Sequence, residues 1–460
     1  MRGGGAGERM TGRGARSGRR PVARARARPR ARSAGSALAG WGALPRPVRI
    51  LVAARSVNRL GAFTLPFLAV VLTGESGASV AAAGAVVALF GAATIPSRLL
   101  GGLLADAVGR RAAIVTGLVL TAGCQLALAA APDLPTAAMA AVLLGLAFEL
   151  YEPASQALVA DLVEGDGDRV AAYGMLAAGL AAAGVLAGLL ATVVGGVDLR
   201  LLFVVDAASC LACAALVRMG LPRAAAGVGG AVDPAVTDAA EEADAARADG
   251  RGAPALAPEA ARSPWRDPLL LGMLASGTGF AILYLQLDVL LPLTLAERGI
   301  QPAHAGLLFA LSALVVVLGQ PLLRRGPLSH LGPGRAMALG FALLGAGFAA
   351  TGVAAGPLGL AASAVVWSVG DLLLLGRAPA LVAALAPVAS RARYLSAHGV
   401  SWGVAAMVGP LLGTQLLARI GVAGTWGALG AGALALALVQ PVVVRRVSDR
   451  LAERPGRQAG

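Results

Sequence analysis

Gly102-Leu103-Leu104-Ala105-Asp106-Ala107-Val108-Gly109-Arg110-Arg111 is a charged turn set between two long apolar runs, 79–104 and 111–131. Two glycines allow close helix approach and a sharp reversal, and Asp106 can cap a helix end or pair with an arginine. The spacing predicts a loop of about six residues between two helices. A reduced copy of the turn, Gly332-Pro333-Gly334-Arg335, follows between two further apolar runs.

Other landmarks recur in the same way. Pro66 corresponds to Pro292, Gly84 to Gly306, Gly109 to Gly332, and the pair Gly184 and Gly188 to Gly409 and Gly413, always 222 to 226 positions later. A nearly constant offset, with each landmark at the same place in its apolar run, means two tandem copies of one unit. Such duplication is a hallmark of secondary transporters, whose path lies between the copies.

The chain of 460 residues is 57% hydrophobic and 14% charged, more apolar than a soluble core of this length can hide. A helix needs about 20 apolar residues to cross a bilayer, where the backbone must satisfy its own hydrogen bonds, so an all-α membrane protein is expected. Polar breaks divide the apolar runs into twelve spans, 50–73, 79–104, 111–131, 136–159, 170–195, 199–220, 268–296, 303–323, 335–354, 358–385, 394–418 and 424–444. The expected organisation is a basic, disordered tail (1–49), a six-helix half (50–221), a flexible linker (222–267), a second six-helix half (268–446) and a short tail (447–460). Arg110, Arg111, Arg169, Arg324, Arg325, Arg335, Arg391, Arg393, Arg445 and Arg446 fall in alternate loops or the final tail, so both termini and the linker are expected in the cytoplasm of a bacterial inner membrane.

Net charge is +14, and thirteen arginines precede Leu51 against the single acid Glu8. A basic tail beside a membrane span fixes orientation or touches anionic lipid, and no nucleic-acid partner is expected. The tail lacks a clean signal-peptide pattern. Cys124, Cys210 and Cys213 all fall inside spans, which implies no disulfide framework. With no lysine in the chain, a Walker A phosphate loop is excluded. No metal-ligand cluster or nucleophile–base set is present, so no metal, cofactor or enzymatic activity is expected.

Span eleven carries Gly409-Pro410-Leu411-Leu412-Gly413, a stripe of small residues for close packing with a proline that favours a bend. With the Gly102–Arg111 turn, this pattern resembles the major facilitator superfamily. That family's loop between helices two and three reads Gly-x-Leu-Ala-Asp-Arg-x-Gly-Arg-Arg, and its antiporters carry Gly-Pro-x-x-Gly. This chain has Ala107 where the family usually has Arg, and Ala141 near the place of the arginine that many drug exporters carry in helix four. The resemblance covers residues 50–446 and is closest to multidrug-type proton antiporters. It implies a gating role for Gly102, Asp106, Gly109, Arg110 and Arg111.

Ionisable residues inside spans mark function, because a charge at the bilayer centre costs about 2.5–3.5 kcal/mol on insertion scales. Glu149 and Glu152 in span four share a helix face, so repulsion favours a proton held between them, and Pro153 frees the Glu149 carbonyl. Asp288 in span seven precedes Pro292 by four residues, and Asp371 lies deep in span ten. These four acids are the proton-coupling candidates, and Asp206 is expected to serve packing. Arg59 is expected to neutralise Glu149 or Glu152. The histidines, His304, His330 and His398, lie at span ends or in a loop. Asn58, Arg59, Tyr151, Tyr284, Gln286, Trp367, Arg377 and Trp402 are candidates for the substrate cavity, the aromatic ones offering apolar contact without fixed polarity. The expected protein is a monomeric exporter that exchanges protons for amphipathic small molecules. A facilitator or importer of a polar or anionic metabolite and a non-transporting membrane scaffold or receptor are the alternatives.

Overall fold

The computed structural model describes residues 46–155, 158, 166–221, 264–325, 330–374, 377–386 and 391–453. The basic tail before Arg46, most of the linker and the residues after 453 lie outside these. Span one is two helices, α1 (Arg46–Leu60) and α2 (Thr64–Glu75). The chain breaks at Gly61, where α1 and the sixth span touch: a Cβ on Gly61 would lie 2.7 Å from the Asp206 Cα. Pro66 then falls in the first turn of α2, where its missing N–H is no loss.

The expected six-residue loop shrinks to one residue. Helix α3 (Val80–Val108) runs straight into α4 (Arg110–Ala129), joined by Gly109 at φ 84. The Leu103-Leu104-Ala105 stretch is good helix former and carries α3 onward, and only glycine adopts the reversal cheaply. The close approach also belongs to a different glycine. Gly102 has open space beside it, whereas a Cβ on Gly101 would overlap the Leu150 carbonyl.

Helix α5 (Leu134–Phe148) starts with a capping box between Asp133 and Thr136, and α6 (Asp166–Gly195) and α7 (Arg200–Gly220) complete the first half. Helix α8 (Pro268–Glu297) is capped by Asp267, whose Oδ1 accepts from the Leu269 amide at 3.1 Å. Arg450 Nη1 reaches the same carboxylate at 2.7 Å and the Tyr394 hydroxyl donates to it at 3.0 Å. Burial opposes the charge of Asp267, but the hydrogen bonds from Arg450 and Tyr394, the Arg450 charge and the Leu269 amide outweigh it and hold its pKa below the usual carboxylate value. The end of the expected linker is thus structured.

A 3-10 turn (Pro302–His304) leads into α9 (Ala305–Arg325), followed by α10 (Pro333–Val353), α11 (Gly356–Leu374), α12 (Arg377–Leu385) and α13 (Arg391–Ala452). Eleven helical stretches among the described residues are long and apolar enough to cross a membrane. The last, Ala397–Ala452, is 56 residues long, or about 84 Å at 1.5 Å per residue, against a hydrocarbon layer of about 30 Å. It is broken at Gly421 (φ 65, ψ −174), so it holds spans eleven and twelve. Large apolar side chains cover the outside, with Leu358 87%, Val197 81% and Leu438 80% exposed, a surface made for lipid rather than water.

Within the first half α1 packs on α6 and α7, and α4 on α5 and α7; within the second α10 packs on α11 and α13, and α8 on α13. The halves meet along two long seams, α3 on α13 and α6 on α9. They also meet where α2 touches α8 and where α6 touches the 3-10 turn.

The seams obey the duplication. A Cβ on Gly84 would lie 2.6 Å from Thr414 Cβ, and one on Gly306 would lie 2.6 Å from Thr192 Oγ1. Gly84 and Gly306, and Thr192 and Thr414, are each 222 residues apart. Further along, Gly91 sits against Ala406 and Gly184 against Ala313, the same pair at the same offset. Thr192 and Thr414 both donate to the carbonyl four residues back, at 3.0 and 2.7 Å. These contacts correct the expected correspondence: Gly188 answers to Pro410, not Gly413. Glycine spacing alone misleads because both helices carry glycines four apart.

Candidate functional site

Four side chains from both halves are close enough for their charges to act on one another. Tyr284 and Asp288 lie one turn apart on α8, Asp371 lies on α11, and Arg59 lies in the last turn of α1. The charges of Asp371, Asp288 and Arg59 act on Tyr284 through space; Arg59 acts on Asp288, and Asp288 on Asp371. Asp371 is 6% exposed, and its Oδ1 has no hydrogen-bond partner among the described residues. Arg59 is exposed, and no ion pair within 4.0 Å joins it to Asp288, so this acid pair faces a cation at a distance. Trp402 stands against Tyr284, ring centres 5.6 Å apart at 73°, and Phe280 touches both rings.

The acids of span four are engaged differently. Helix α5 ends at Phe148, and a short helical turn resumes at 152, so Glu149 and Glu152 flank a break rather than share one face. Arg98 holds Glu149 at 3.1 Å and Arg55 holds Glu152 at 2.6 Å. Arg59, expected to neutralise one of them, does not; Arg55 lies one turn earlier on α1, level with Glu152. The Glu149 carbonyl is not left open by Pro153, since the Glu152 amide donates to it at 3.2 Å. The Arg55 guanidinium also lies 4.9 Å from the Tyr151 ring centre, and Tyr151 donates to Asn58 Oδ1 at 3.0 Å. Asn58 in turn donates to Cys210 Sγ at 3.2 Å. Arg55, Glu152, Tyr151 and Asn58 form a linked knot inside the first half, in which the Arg55 Nε and Nη1 have no hydrogen-bond partner among the described residues. Below it Asp206, 2% exposed, accepts from Thr64 at 2.9 Å where α2 restarts.

Three expected cavity residues lie elsewhere. Gln286 is fully buried; its amide donates to the Gly409 carbonyl at 2.8 Å and lies against Gly413, where a Cβ would come 2.9 Å from Gln286 Cδ. The Gly409-Pro410-x-x-Gly413 stripe is therefore the bed for Gln286 on α8. Trp367 is 3% exposed, pressed on Gly347 in the core. Arg377 turns back to the Leu373 carbonyl at the end of α11, as a cation at a helix C-terminus does. In the turn after α3, Arg111 donates to the Arg218 carbonyl at the end of α7, while Asp106 is exposed.

Sequence reasoning missed Arg98, Gly101, His398 and Gln440. His398, taken as a span-end residue, is 7% exposed and one helical turn from Trp402, a spacing that could have drawn notice. Gln440 stands alone in an apolar run, which was its signal.

A family model described as Major Facilitator Superfamily matches residues 51–294 and again 269–460. The uncharacterized MFS-type transporter YqjV of Bacillus subtilis (strain 168) is 36% identical over 105 residues, 22% of this chain and 25% of that protein. The chain thus matches about a quarter of the length of this curated relative. Among solved structures, a peptide transporter POT in complex with sulfate is similar at TM-score 0.70 and 19% identity, covering 90% of this chain and 99% of that one. A structure of proton dependent oligopeptide transporters gives TM-score 0.66 at 17% identity, covering 88% and 99%. These similar structures are peptide transporters rather than the multidrug antiporters that the sequence motifs resemble, and at such identity they show the fold alone. Two matches to the same family model, the duplicated seams and twelve spans lead to one conclusion: the chain belongs to the major facilitator superfamily.

Proposed function

We propose that this superfamily member is a proton-coupled transporter that exports amphipathic small molecules by alternating access, with Asp288 and Asp371 carrying the proton. The observation that supports this most is their mutual action on α8 and α11 beside Tyr284, with Arg59 of the other half as the distant cation. A neutralised carboxyl tolerates an occluded apolar site that its ionised form resists, so protonation biases which state is favoured. Two acids against one arginine suit a cationic head group, and Tyr284, Trp402 and Phe280 suit an apolar body. The arginine-rich loops support a reading with both termini in the cytoplasm, and the membrane proposed is a bacterial inner membrane. In that orientation the α2–α8 and α6–3-10 contacts close the outer end, and the chain works as a monomer with its path between its own halves.

The test is a proton flux. The protein would be reconstituted in liposomes holding a pH-sensitive dye, with a pH gradient imposed and ethidium added as a lipophilic cation. Wild type should move protons against ethidium, and Asp288→Asn should abolish this exchange. An unchanged flux in Asp288→Asn would remove that carboxylate from the mechanism.

One alternative has its own support. The similar folds are named as proton dependent oligopeptide transporters, and Arg59 opposite Asp288 and Asp371 offers both charges a zwitterion needs. Replacing ethidium by a dipeptide separates the readings, since a symporter moves protons and peptide in the same direction.

A further inference from the structure

A cavity of about 120 Å³ lies inside the second half alone, between α8, α10, the α11–α12 region and both parts of α13. None of Asp288, Asp371 or Arg59 lines it, but it shares Phe280 and Trp402 with the aromatic group proposed above for the substrate's apolar body. Its walls are aromatic: Phe280 meets Phe341 edge to face at 5.9 Å and Trp402 at 6.2 Å, with Met337 beside them. Three buried polar side chains interrupt this apolar lining, of which Ser276 donates to the Met273 carbonyl at 3.2 Å. Gln440 is 1% exposed; its Nε2 reaches only the Met337 sulfur at 3.7 Å, and its Oε1 has no partner among the described residues. His398 is 7% exposed, and its Nδ1 is likewise without a partner.

A polar atom left unpaired in an apolar place is costly, and two around one cavity call for an occupant that satisfies them. The imidazole is also held in position: a Cβ on Gly277 would lie 2.7 Å from His398 Cε1, so the ring packs on bare backbone. The volume selects the occupant's size. An engineered cavity of about 150 Å³ with apolar walls binds benzene, so this one has room for a single ring, with Trp402 in its wall 42% exposed. The chemistry selects its polarity. Gln440 Oε1 is an acceptor and needs a donor, and among the described residues the lining holds no acid and no arginine to neutralise a charge.

We infer that this chamber is a binding site for one small neutral aromatic molecule carrying a hydroxyl or N–H donor, anchored by Gln440 and His398 between Phe280, Phe341 and Trp402. Because Trp402 also touches Tyr284, an occupant presses on the wall shared with the acid pair. Ordered water could fill the same atoms' needs, and the experiment separates the two.

Phenol and toluene have nearly the same shape but differ in the donor. With the purified full-length protein in detergent, phenol should raise the unfolding temperature saturably and bind at least fivefold more tightly than toluene. Gln440→Leu should bring phenol to the level of toluene, and Ala378→Leu, which fills the chamber, should abolish both effects. A readout on the wild type avoids any variant that fails to fold: 4-bromophenol should quench part of the tryptophan fluorescence saturably, phenol should reverse this better than toluene, and Trp402→Phe should remove it. Absence of saturable phenol binding would mean that water fills the chamber and would overturn the inference. Equal competition by toluene, or quenching that survives Trp402→Phe, would overturn it as well.

Discussion

Arg55 holds two groups at once, the Glu152 carboxylate at 2.6 Å and the Tyr151 ring. Arg55→Met would remove the cation 2.6 Å from a largely buried acid, and stability in detergent should fall by about 1–3 kcal/mol, measured by thermal unfolding. Adding Glu152→Gln should recover most of the loss; a double variant as weak as the single one would show that packing, not charge, is at stake. Asp267 behaves differently because its charge is favoured in the folded state. Its folded pKa lies below the unfolded value of about 3.9, so its stabilisation is complete above that pH and is lost as pH falls through the folded value. The gap in unfolding temperature between wild type and Asp267→Asn should therefore stay constant from about pH 7 to pH 5 and close in more acidic buffer. A gap that widens in acid would contradict the sign. The sequence announced which side chains are unusual, since Glu149, Glu152, Asp288 and Asp371 all stand in apolar runs. It did not reveal partners. Arg98 and Arg55 reach their acids across helix pairs that no local spacing encodes, and Gln286 and Trp367 look like cavity residues until their buried neighbours are known.

The two long seams depend on glycine where helices nearly touch. Gly84→Ala would push a methyl into Thr414, and overpacking of this kind costs about 1–3 kcal/mol. Thr414→Gly should rescue it by removing the opposing Cβ, read as recovered unfolding temperature. On the mirrored seam Gly306→Ala meets the Gly188 backbone as well as Thr192, so Thr192→Gly should rescue it less. Gly399→Ala is the control: nothing lies within 4 Å, and the helix should gain up to about 1 kcal/mol. Helix type was readable from apolar runs, and most boundaries came within a few residues, but spans one and ten are each two helices, α5 stops at Phe148 against the expected 159, and α13 runs on to Ala452 against 444. Two junctions were not readable in their tightness, since Gly109 and Gly421 each join two helices alone. A positive φ is permitted by glycine but not announced by it, and this chain has 63 glycines.

Alternating access requires the contacts at one end of the molecule to part. Gln301 donates to the Gly196 carbonyl at 2.8 Å, bridging the halves beside the 3-10 turn. A short bifunctional thiol reagent joining Gly196→Cys to Gln301→Cys should stop the proton exchange proposed above while leaving the protein folded. Full flux after cross-linking would mean that this end never opens. Duplication made the architecture legible from spaced landmarks, yet the acid pair's surroundings stayed hidden because Arg59, Asp288, Asp371 and Trp402 come from α1, α8, α11 and α13, far apart in the chain. The paired seams also carry a history. Had the halves begun as identical subunits about a twofold axis, each change in the glycine–threonine joint would have struck twice. Within one polypeptide the two joints are free to diverge: Pro410 stands in one where Gly188 stands in the other, so the two seams can differ in stiffness.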